Sequence, residues 1–195
     1  MILGIECTAH TFGVGIVSKG KILANVRDMY KTETGGIIPV ESAKHHRRVA
    51  EEIYQKALEM AKISEKEISS IAVSNAPGLP PCLLAGLEFA KNLSKKLNLF
   101  LIPVNHCIAH LEIGRSVGAK DPILLYASGA NTQIIAYAAG KYRVFGETLD
   151  IGVGNFIDKF ARVLGLGFPG GPEIEKLAAR GKYVELAYSI KGMDV

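Results

Sequence analysis

The sequence predicts an α/β protein made of two lobes, each of which begins with a run of short antiparallel strands. Two observations support this class. Segments with alternating apolar residues, typical of strands, are interleaved with segments that have apolar residues at helical spacing. The pattern of strands and turns at the start of the chain also returns after a shift of 120 positions. We therefore expect one lobe at residues 1–120 and a second at residues 121–195.

The first lobe is predicted to run strand, strand, strand, helix, strand, helix, strand, helix. The predicted strands are Ile2–Cys7, Phe12–Ser18, Ile22–Val26, Ser69–Ser74 and Leu97–Val104. The predicted helices are Val40–Ile63, with Pro39 at its first position, Cys82–Leu97, with lysines near its end, and a third beginning at Asn105. Proline and glycine make Asn75–Pro81 a rigid loop before the second helix.

The second lobe begins with Ile123–Tyr126, an apolar run that is typical of a buried strand. A small polar turn follows at Ser128–Thr132. Two helices are predicted after the strands, at Asn155–Leu164 and Glu173–Arg180, with Pro172 at the first turn of the latter.

The 120-residue shift aligns two hairpin-like segments. It places Gly20-Lys21 on Gly140-Lys141 and Thr8 on Ser128. Two such hairpins that open two lobes resemble the plan of the actin/sugar-kinase/Hsp70-like (ASKHA) superfamily. That plan implies a nucleotide between the lobes, with each hairpin turn facing its phosphates. The first lobe would be complete and the second truncated.

Composition leaves several partners open and disfavours secretion. The chain has 195 residues and a net charge of +4, which permits a polyanionic partner without requiring one. Three cysteines form no even disulfide framework, so we expect a reducing, cytoplasmic location. The N-terminal residues show no signal peptide, and no run is apolar enough to span a membrane, so we expect no membrane partner.

Two histidines form a candidate metal site. His106 and His110 lie four positions apart, so on a helix they share one face and can reach one ion. The alternative is that they are surface or structural residues. Cys107 stands where a metalloprotease helix of the His-Glu-x-x-His type has its glutamate, which disfavours peptide hydrolysis.

Two glycine-containing turns are candidate anion sites. Backbone N–H groups at Ser128–Thr132 can cradle a phosphate. Gly170-Gly171 before Pro172 would leave bare N–H groups at a helix start, although a plain loop is the alternative.

These motifs resemble the universal tRNA threonylcarbamoyladenosine transferase family in its archaeal form, the catalytic subunit of the KEOPS complex, formerly called O-sialoglycoprotein endopeptidase. The resemblance covers the whole chain as the N-terminal portion of the family. The matching stretches are Gly4–Thr11, His45-His46, Pro77–Leu79, Val104–His110, Ser128–Gln133, Tyr142–Asp150, Phe168–Pro172 and Lys191–Asp194.

The resemblance implies a transferase that moves threonylcarbamoyl from its adenylate to the amino nitrogen of the adenosine beside the tRNA anticodon. It also implies one divalent metal, iron or zinc, and ATP or the acyl-adenylate as ligand. The implied metal ligands are His106, His110 and Tyr126. The implied phosphate contacts are Tyr126, Ala127, Ser128, Gly129 and Ala130, and the implied nucleoside contacts are Asp158, Gly171 and Glu175. Glu6 would face the reacting group.

The implied partners are tRNA and the kinase-like and small dimerising KEOPS subunits. The family's second half, which includes an aspartate that completes the metal site, is not encoded here, so a separate C-terminal half is a further expected partner. Within the matching part, several positions depart from the family: Cys7, Ala76, Pro80, Leu84 and Ala130. We expect these changes to weaken nucleotide binding, because an alanine in a phosphate turn adds a methyl group and resists positive φ.

Three interpretations follow. The chain is an enzyme fragment that needs its other half, a non-catalytic KEOPS-type assembly subunit, or an unfolded remnant; the intact amphipathic patterns argue against the last. The basic cluster Lys44–Arg48 could contact tRNA, but a solvated helix face is the expected explanation.

Overall fold

The computed structural model describes residues 1–32 and 36–185 of the chain. The family-like stretch Lys191–Asp194 lies outside the described residues. The chain divides into two compact units. Unit 1 comprises Met1–Tyr30 and Ile37–Ala109, and unit 2 comprises the described residues within Lys31–Gly36 and His110–Val195.

Unit 1 contains a mixed five-stranded sheet in the order β3-β2-β1-β4-β5. Its strands are β1 (Ile2–Glu6), β2 (Thr11–Ser18), β3 (Lys21–Met29), β4 (Ser70–Ala76) and β5 (Phe100–Asn105). The first three strands are antiparallel, and β4 and β5 are parallel to β1. Its two long helices are α1 (Pro39–Ala61) and α2 (Pro80–Leu97), and a 3-10 turn lies at Glu65–Glu67.

The core of unit 1 lies between one face of this sheet and the two helices. Strand alternation directs Leu3 and Ile5 of β1 toward Ile53 and Tyr54 of α1, and all four side chains are buried. The opposite sheet face carries Gly4 and Glu6 of β1. It also exposes large apolar side chains at both edges of the sheet, including Phe100 at 85%. Among the described residues of unit 1, the helices α1 and α2 therefore pack on one face of the sheet.

Unit 2 contains an antiparallel three-stranded sheet, β6-β7-β8. Its strands are β6 (Ile123–Ala127), β7 (Thr132–Ala138) and β8 (Lys141–Glu147). Helices α4 (Val153–Val163) and α5 (Gly171–Ala178) follow, and a 3-10 helix at Ile113–Val117 precedes the sheet. An isolated bridge pairs Thr32 with Phe168. Helix α3 (His106–Glu112) begins in unit 1 and ends in unit 2.

The structure confirms the predicted order of elements and changes some bounds. The strand predicted at Leu97–Val104 begins only at Phe100, because α2 continues through Leu97 and ends where Asn98 adopts the left-handed conformation, with φ 52°. The loop predicted at Asn75–Pro81 is shorter, since Ala76 pairs with Asn105 and α2 starts at Pro80. β3 is longer than predicted because it pairs with β2 as far as Met29.

The two hairpins have the same register after a shift of 120 residues. Ile5 pairs with Val14, and Leu125 pairs with Ile134. The tight turns also match, because Lys19-Gly20 and Ala139-Gly140 all have positive φ, from 49° to 77°. Such a two-residue turn suits the twist of a hairpin. The internal repeat predicted from the sequence is thus present in the backbone. In the part of the chain that the structure describes, no helix combines the length and apolarity needed to cross a membrane.

Candidate functional site

The start of α3 is defined by an asparagine cap. β5 ends at Asn105, whose Oδ1 accepts a hydrogen bond from Ile108 N at 3.1 Å. The helix then runs from His106 to Glu112, so the predicted helix carries both His106 and His110. His106 belongs to unit 1, and His110 belongs to unit 2.

In unit 1, His106 is hydrogen-bonded to a glutamate from β1. His106 Nδ1 lies 3.0 Å from Glu6 Oε2. The other carboxylate oxygen, Oε1, accepts from Thr8 N at 2.7 Å and from the Thr8 hydroxyl. Burial raises the pKa of Glu6, but hydrogen bonds from His106 and Thr8 outweigh it and lower that pKa to about 2. Glu6 is therefore an ionised acceptor for three donors at neutral pH.

Thr8 is itself held by the loop before α2. Leu79 N donates to Thr8 O at 2.7 Å, and Gly78 approaches so closely that an added Cβ would lie 2.6 Å from the same oxygen. Only glycine fits there. The preceding Cys7 is buried, and burial raises the pKa of its thiol to about 12, so it is an unreactive core residue.

In unit 2, His110 lies beside Tyr126. Their ring centroids are 5.5 Å apart, with the planes inclined by 51°. The structure therefore brings together two of the three residues for which the resemblance implies metal binding. Imidazole and phenolate are both suitable ligands for iron or zinc.

The turn after β6 is organised by the Ser128 hydroxyl. Ser128 Oγ accepts from Ala130 N at 3.2 Å and from Asn131 N at 3.1 Å, and it lies 2.8 Å from Asn131 O. Two of the N–H groups expected to cradle a phosphate thus donate to this side chain. Ala130 has no positive φ, so this position accepts an alanine without backbone strain.

The same turn packs on the start of α4. Gly154 N donates to Ser128 O at 3.0 Å, and Val153 N donates to Thr132 Oγ1 at 2.9 Å. A Cβ at Gly154 would lie 2.9 Å from Gly129 N, and one at Gly152 would lie 2.7 Å from Asn131 N. The sequence interpretation missed Gly152 and Gly154, although a Gly-x-Gly at a helix start was the signal available for them.

Asp158 joins α4 to the start of α5. Its Oδ1 accepts from Gly170 N at 2.9 Å, and Gly170 is the N-cap of α5, directly before Gly171. Asp158, one of the expected nucleoside contacts, is therefore hydrogen-bonded to the residue directly before Gly171, another of them. Glu175 lies exposed on α5, one turn further along.

The basic cluster on α1 is only partly a solvated face. Lys44, Arg47 and Arg48 are exposed, but His45 and His46 are buried. His45 Nε2 lies 2.6 Å from Asp28 Oδ1, and His46 Nε2 lies 2.9 Å from Ala9 O. The two histidines therefore belong to the interior of unit 1.

Each unit, taken by itself, contains side chains that suit the expected metal. Among residues 1–32 and 36–185, no three His, Cys, Asp or Glu side chains cluster as a metal site. Two features nevertheless fit a metal: the carboxylate against Nδ1 of His106, as is usual for metal-binding histidines, and the His110–Tyr126 pair.

Comparison with known proteins adds to this geometry. A sequence model of the TsaD family, described as tRNA N6-adenosine threonylcarbamoyltransferase, matches residues 21–195. Proteins of that name from Thermococcus sibiricus and Thermococcus kodakarensis are each 56% identical over 194 residues, which are 99% of this chain and 60% of the relative. A "probable bifunctional tRNA threonylcarbamoyladenosine biosynthesis protein" from Thermoplasma acidophilum is 53% identical over 196 residues, or 37% of its length. The chain thus spans about 60% of the two Thermococcus proteins.

Two solved structures resemble the fold. The ethanolamine utilization protein EutJ from Carboxydothermus hydrogenoformans matches with a TM-score of 0.55 and 16% identity, over 89% of this chain and 60% of that one. YeaZ from Pseudomonas aeruginosa matches with a TM-score of 0.51 and 15% identity, over 75% and 65%. These likenesses concern the fold alone, and they confirm the predicted actin/sugar-kinase/Hsp70-like class.

Proposed function

Because the chain belongs to the TsaD family of tRNA N6-adenosine threonylcarbamoyltransferases, we propose that it supplies part of the active site of such an enzyme. The reaction moves threonylcarbamoyl from its adenylate to the N6 amino group of the adenosine beside the tRNA anticodon. A bond forms between that nitrogen and the carbamoyl carbon, the bond from this carbon to the phosphate oxygen breaks so that AMP leaves, and the nitrogen loses one proton. The observation that carries the proposal is 56% identity over 194 residues of this chain.

Unit 2 would hold the adenylate. Residues Tyr126–Ala130 would contact its phosphate, and the packing of Ser128–Ala130 on the start of α4 supports this because it holds their backbone in place. The N–H groups of Ala130 and Asn131, which now donate to Ser128 Oγ, would either turn to the phosphate or keep these hydrogen bonds next to it. The Asp158–Gly170 hydrogen bond fixes the start of α5, where Gly171 and Glu175 would contact the nucleoside. Such positioning supplies much of the rate in group transfer.

His106, His110 and Tyr126 would hold one divalent metal, iron or zinc. When bound, the metal would supply positive charge that neutralises and polarises the acyl-adenylate. In unit 1, Glu6 accepts three hydrogen bonds, from His106 and Thr8, and it would face the reacting group. A site with only these three protein ligands should bind the ion loosely.

The proposed partners are tRNA, the kinase-like and small dimerising subunits of a KEOPS complex, and the C-terminal portion that the relatives possess. The exposed cations Lys44, Arg47 and Arg48 would contact a polyanion, and Lys44 and Arg47 would exchange their ion pairs with Glu41 and Glu88 for it. The proposed location is the cytoplasm, where tRNA is modified.

The test is an assay for threonylcarbamoylated tRNA. The mixture contains threonylcarbamoyl-adenylate, tRNA, KEOPS partner subunits and this chain, with or without the C-terminal segment of the Thermococcus kodakarensis relative. We expect turnover only with the added segment, and loss of turnover in the His106→Ala/His110→Ala double variant. Glu52→Ala/Lys56→Ala removes an exposed ion pair of α1, away from the proposed site, and is the matched control.

Two results would change the proposal. Turnover without the added segment would show that this chain alone forms the pocket. No turnover despite stable association with the segment and the KEOPS subunits would favour the alternative function, a non-catalytic assembly subunit.

A further inference from the structure

Glu6 and His106 come from elements far apart in the chain and meet in a defined geometry. The sequence separation is 100 residues, and the Glu6 Oε2 to His106 Nδ1 distance is 3.0 Å. The His106 side chain is 14% exposed, so its ring has little room to reorient. We infer that Glu6 is a positioning residue that fixes the tautomer and the ring orientation of His106, so that Nε2 is presented to a metal ion. The metal part of this inference rests on the function proposed above.

The hydrogen-bond pattern assigns the proton. A glutamate is ionised at neutral pH and can only accept hydrogen bonds. Both of its oxygens have donors here: Oε1 accepts from the backbone and the hydroxyl of Thr8, and Oε2 faces His106. Nδ1 of His106 must therefore carry a hydrogen. In the neutral imidazole the lone pair then lies on Nε2, which is the nitrogen that can bind a metal.

The Glu6 carboxylate is held in place by Thr8, which in turn contacts the loop before α2. Thr8 is buried, its carbonyl accepts from Leu79 N at 2.7 Å, and Gly78 lies against its backbone and Cβ. This gives a continuous series of contacts from the Pro77–Leu79 loop through Thr8 and Glu6 to His106. The Pro77-Gly78-Leu79 motif thus supports Glu6 indirectly, because Gly78 admits no side chain at its contact with Thr8.

A carboxylate on the far nitrogen of a metal-binding histidine usually raises metal affinity by 10- to 100-fold, according to the loss seen when such partners are removed. The tautomer effect does not need the metal. These two consequences can be measured separately, so the role of Glu6 is testable even if the metal role of His106 is wrong.

The first experiment is ¹⁵N NMR of histidine-labelled chain at neutral pH, which distinguishes Nδ1–H from Nε2–H tautomers. We expect His106 to be the Nδ1–H form in the wild type. Glu6→Ala should shift it toward the Nε2–H form that is common for unrestrained histidines. Glu6→Gln, which keeps an acceptor oxygen without the charge and is less disruptive to folding, should retain much of the wild-type signal. Glu88→Ala, which breaks an exposed ion pair with Arg47, should leave the signal unchanged.

The second experiment is a calorimetric titration with Zn²⁺. Glu6→Ala should weaken binding at His106 by about 10- to 100-fold, and Glu88→Ala should not. A wild-type tautomer in Glu6→Ala, with its fold verified by circular dichroism, would overturn the inference. Equal Zn²⁺ affinity for the wild type and His106→Ala would instead overturn the proposed metal role, and the tautomer result would then decide the role of Glu6 alone.

Discussion

The Sγ atom of Cys7 occupies the space directly over Gly86 of α2, so that a methyl group at Gly86 would overlap both Sγ and Cβ of Cys7. Cys7 is fully buried and follows β1, and Gly86 lies in the middle of α2. The cysteine is thus accommodated by the absence of a side chain on the facing helix.

This contact predicts that Gly86→Ala lowers the free energy of unfolding, the opposite of its usual effect in a helix. In a helix without tertiary contacts the change would stabilise the helix by about 1 kcal/mol. Here, overpacking against Cys7 should destabilise the folded protein by about 1–3 kcal/mol. Adding Cys7→Gly removes the overlapping atoms, so the effects of the two changes should be strongly non-additive in urea unfolding. Asn92→Ala, on the exposed face of α2, is the control and should be nearly neutral. Additive effects would contradict the contact.

A second prediction concerns pH and His46. Burial lowers the pKa of His46 to about 4, against 6.5 for a free histidine; the Ala9 carbonyl opposes this shift, and nearby His45 and His10 add to it. Between these values the unfolded chain binds the proton and the folded chain does not. The contribution of His46 to the free energy of unfolding should therefore fall as the pH decreases from 6.5 to 4, and it should not change further below pH 4.

The measurement is urea unfolding at several pH values. We expect the wild type to lose on the order of 1–3 kcal/mol more than His46→Gln between pH 7 and pH 4. Glutamine can still donate a hydrogen bond to Ala9 O but does not titrate. Parallel pH profiles for the two proteins would count against a buried neutral His46.

Sequence patterns located the strands and helices well because strand alternation and helical spacing can be recognised within a few neighbouring residues. Alternation found the strands, and the 120-residue repeat anticipated the matching turns at Lys19-Gly20 and Ala139-Gly140. The partner of His106 was not foreseeable in this way, because Glu6 is 100 residues away and meets it only through the sheet. The Cys7–Gly86 contact and the burial of His45 and His46 are also tertiary effects. The hydrogen bonds of Ser128 lie within its own turn, but the sequence does not show which of the several neighbouring polar groups the hydroxyl contacts.

A third prediction follows from the uncovered sheet edges. Phe100 of β5 is 85% exposed, and Leu125 of β6 is 68% exposed. Unpaired edges with apolar side chains favour association between chains. Light scattering after size-exclusion chromatography should show oligomers whose fraction increases with protein concentration.

The double variant Phe100→Lys/Leu125→Lys should shift this chain toward the monomer. Met60→Lys is the matched control, since Met60 is 56% exposed but lies on the surface of a helix. A sharp wild-type monomer at all concentrations would refute the prediction.

The last prediction concerns the turn that would hold the phosphate. A Cβ at Gly154 would lie 2.9 Å from Gly129 N and from the carbonyl of Ser128, all of which are backbone atoms that cannot move aside cheaply. Gly154→Ala should therefore displace the whole turn and weaken the Gly154 N to Ser128 O hydrogen bond. Amide hydrogen exchange at Ser128–Asn131 should become faster. ATP binding is measured by calorimetry with the C-terminal segment of a relative supplied. The affinity should weaken at least about 10-fold, as expected when one well-placed hydrogen bond of about 1.4 kcal/mol is lost. Gly114→Ala, in the same unit, is the control: its added Cβ would lie an ordinary 3.4 Å from Pro122 and should change neither quantity.

Faster amide exchange with unchanged ATP affinity would mean that the turn is built as described but does not bind the phosphate. Unchanged amide exchange would mean that the turn does not depend on α4.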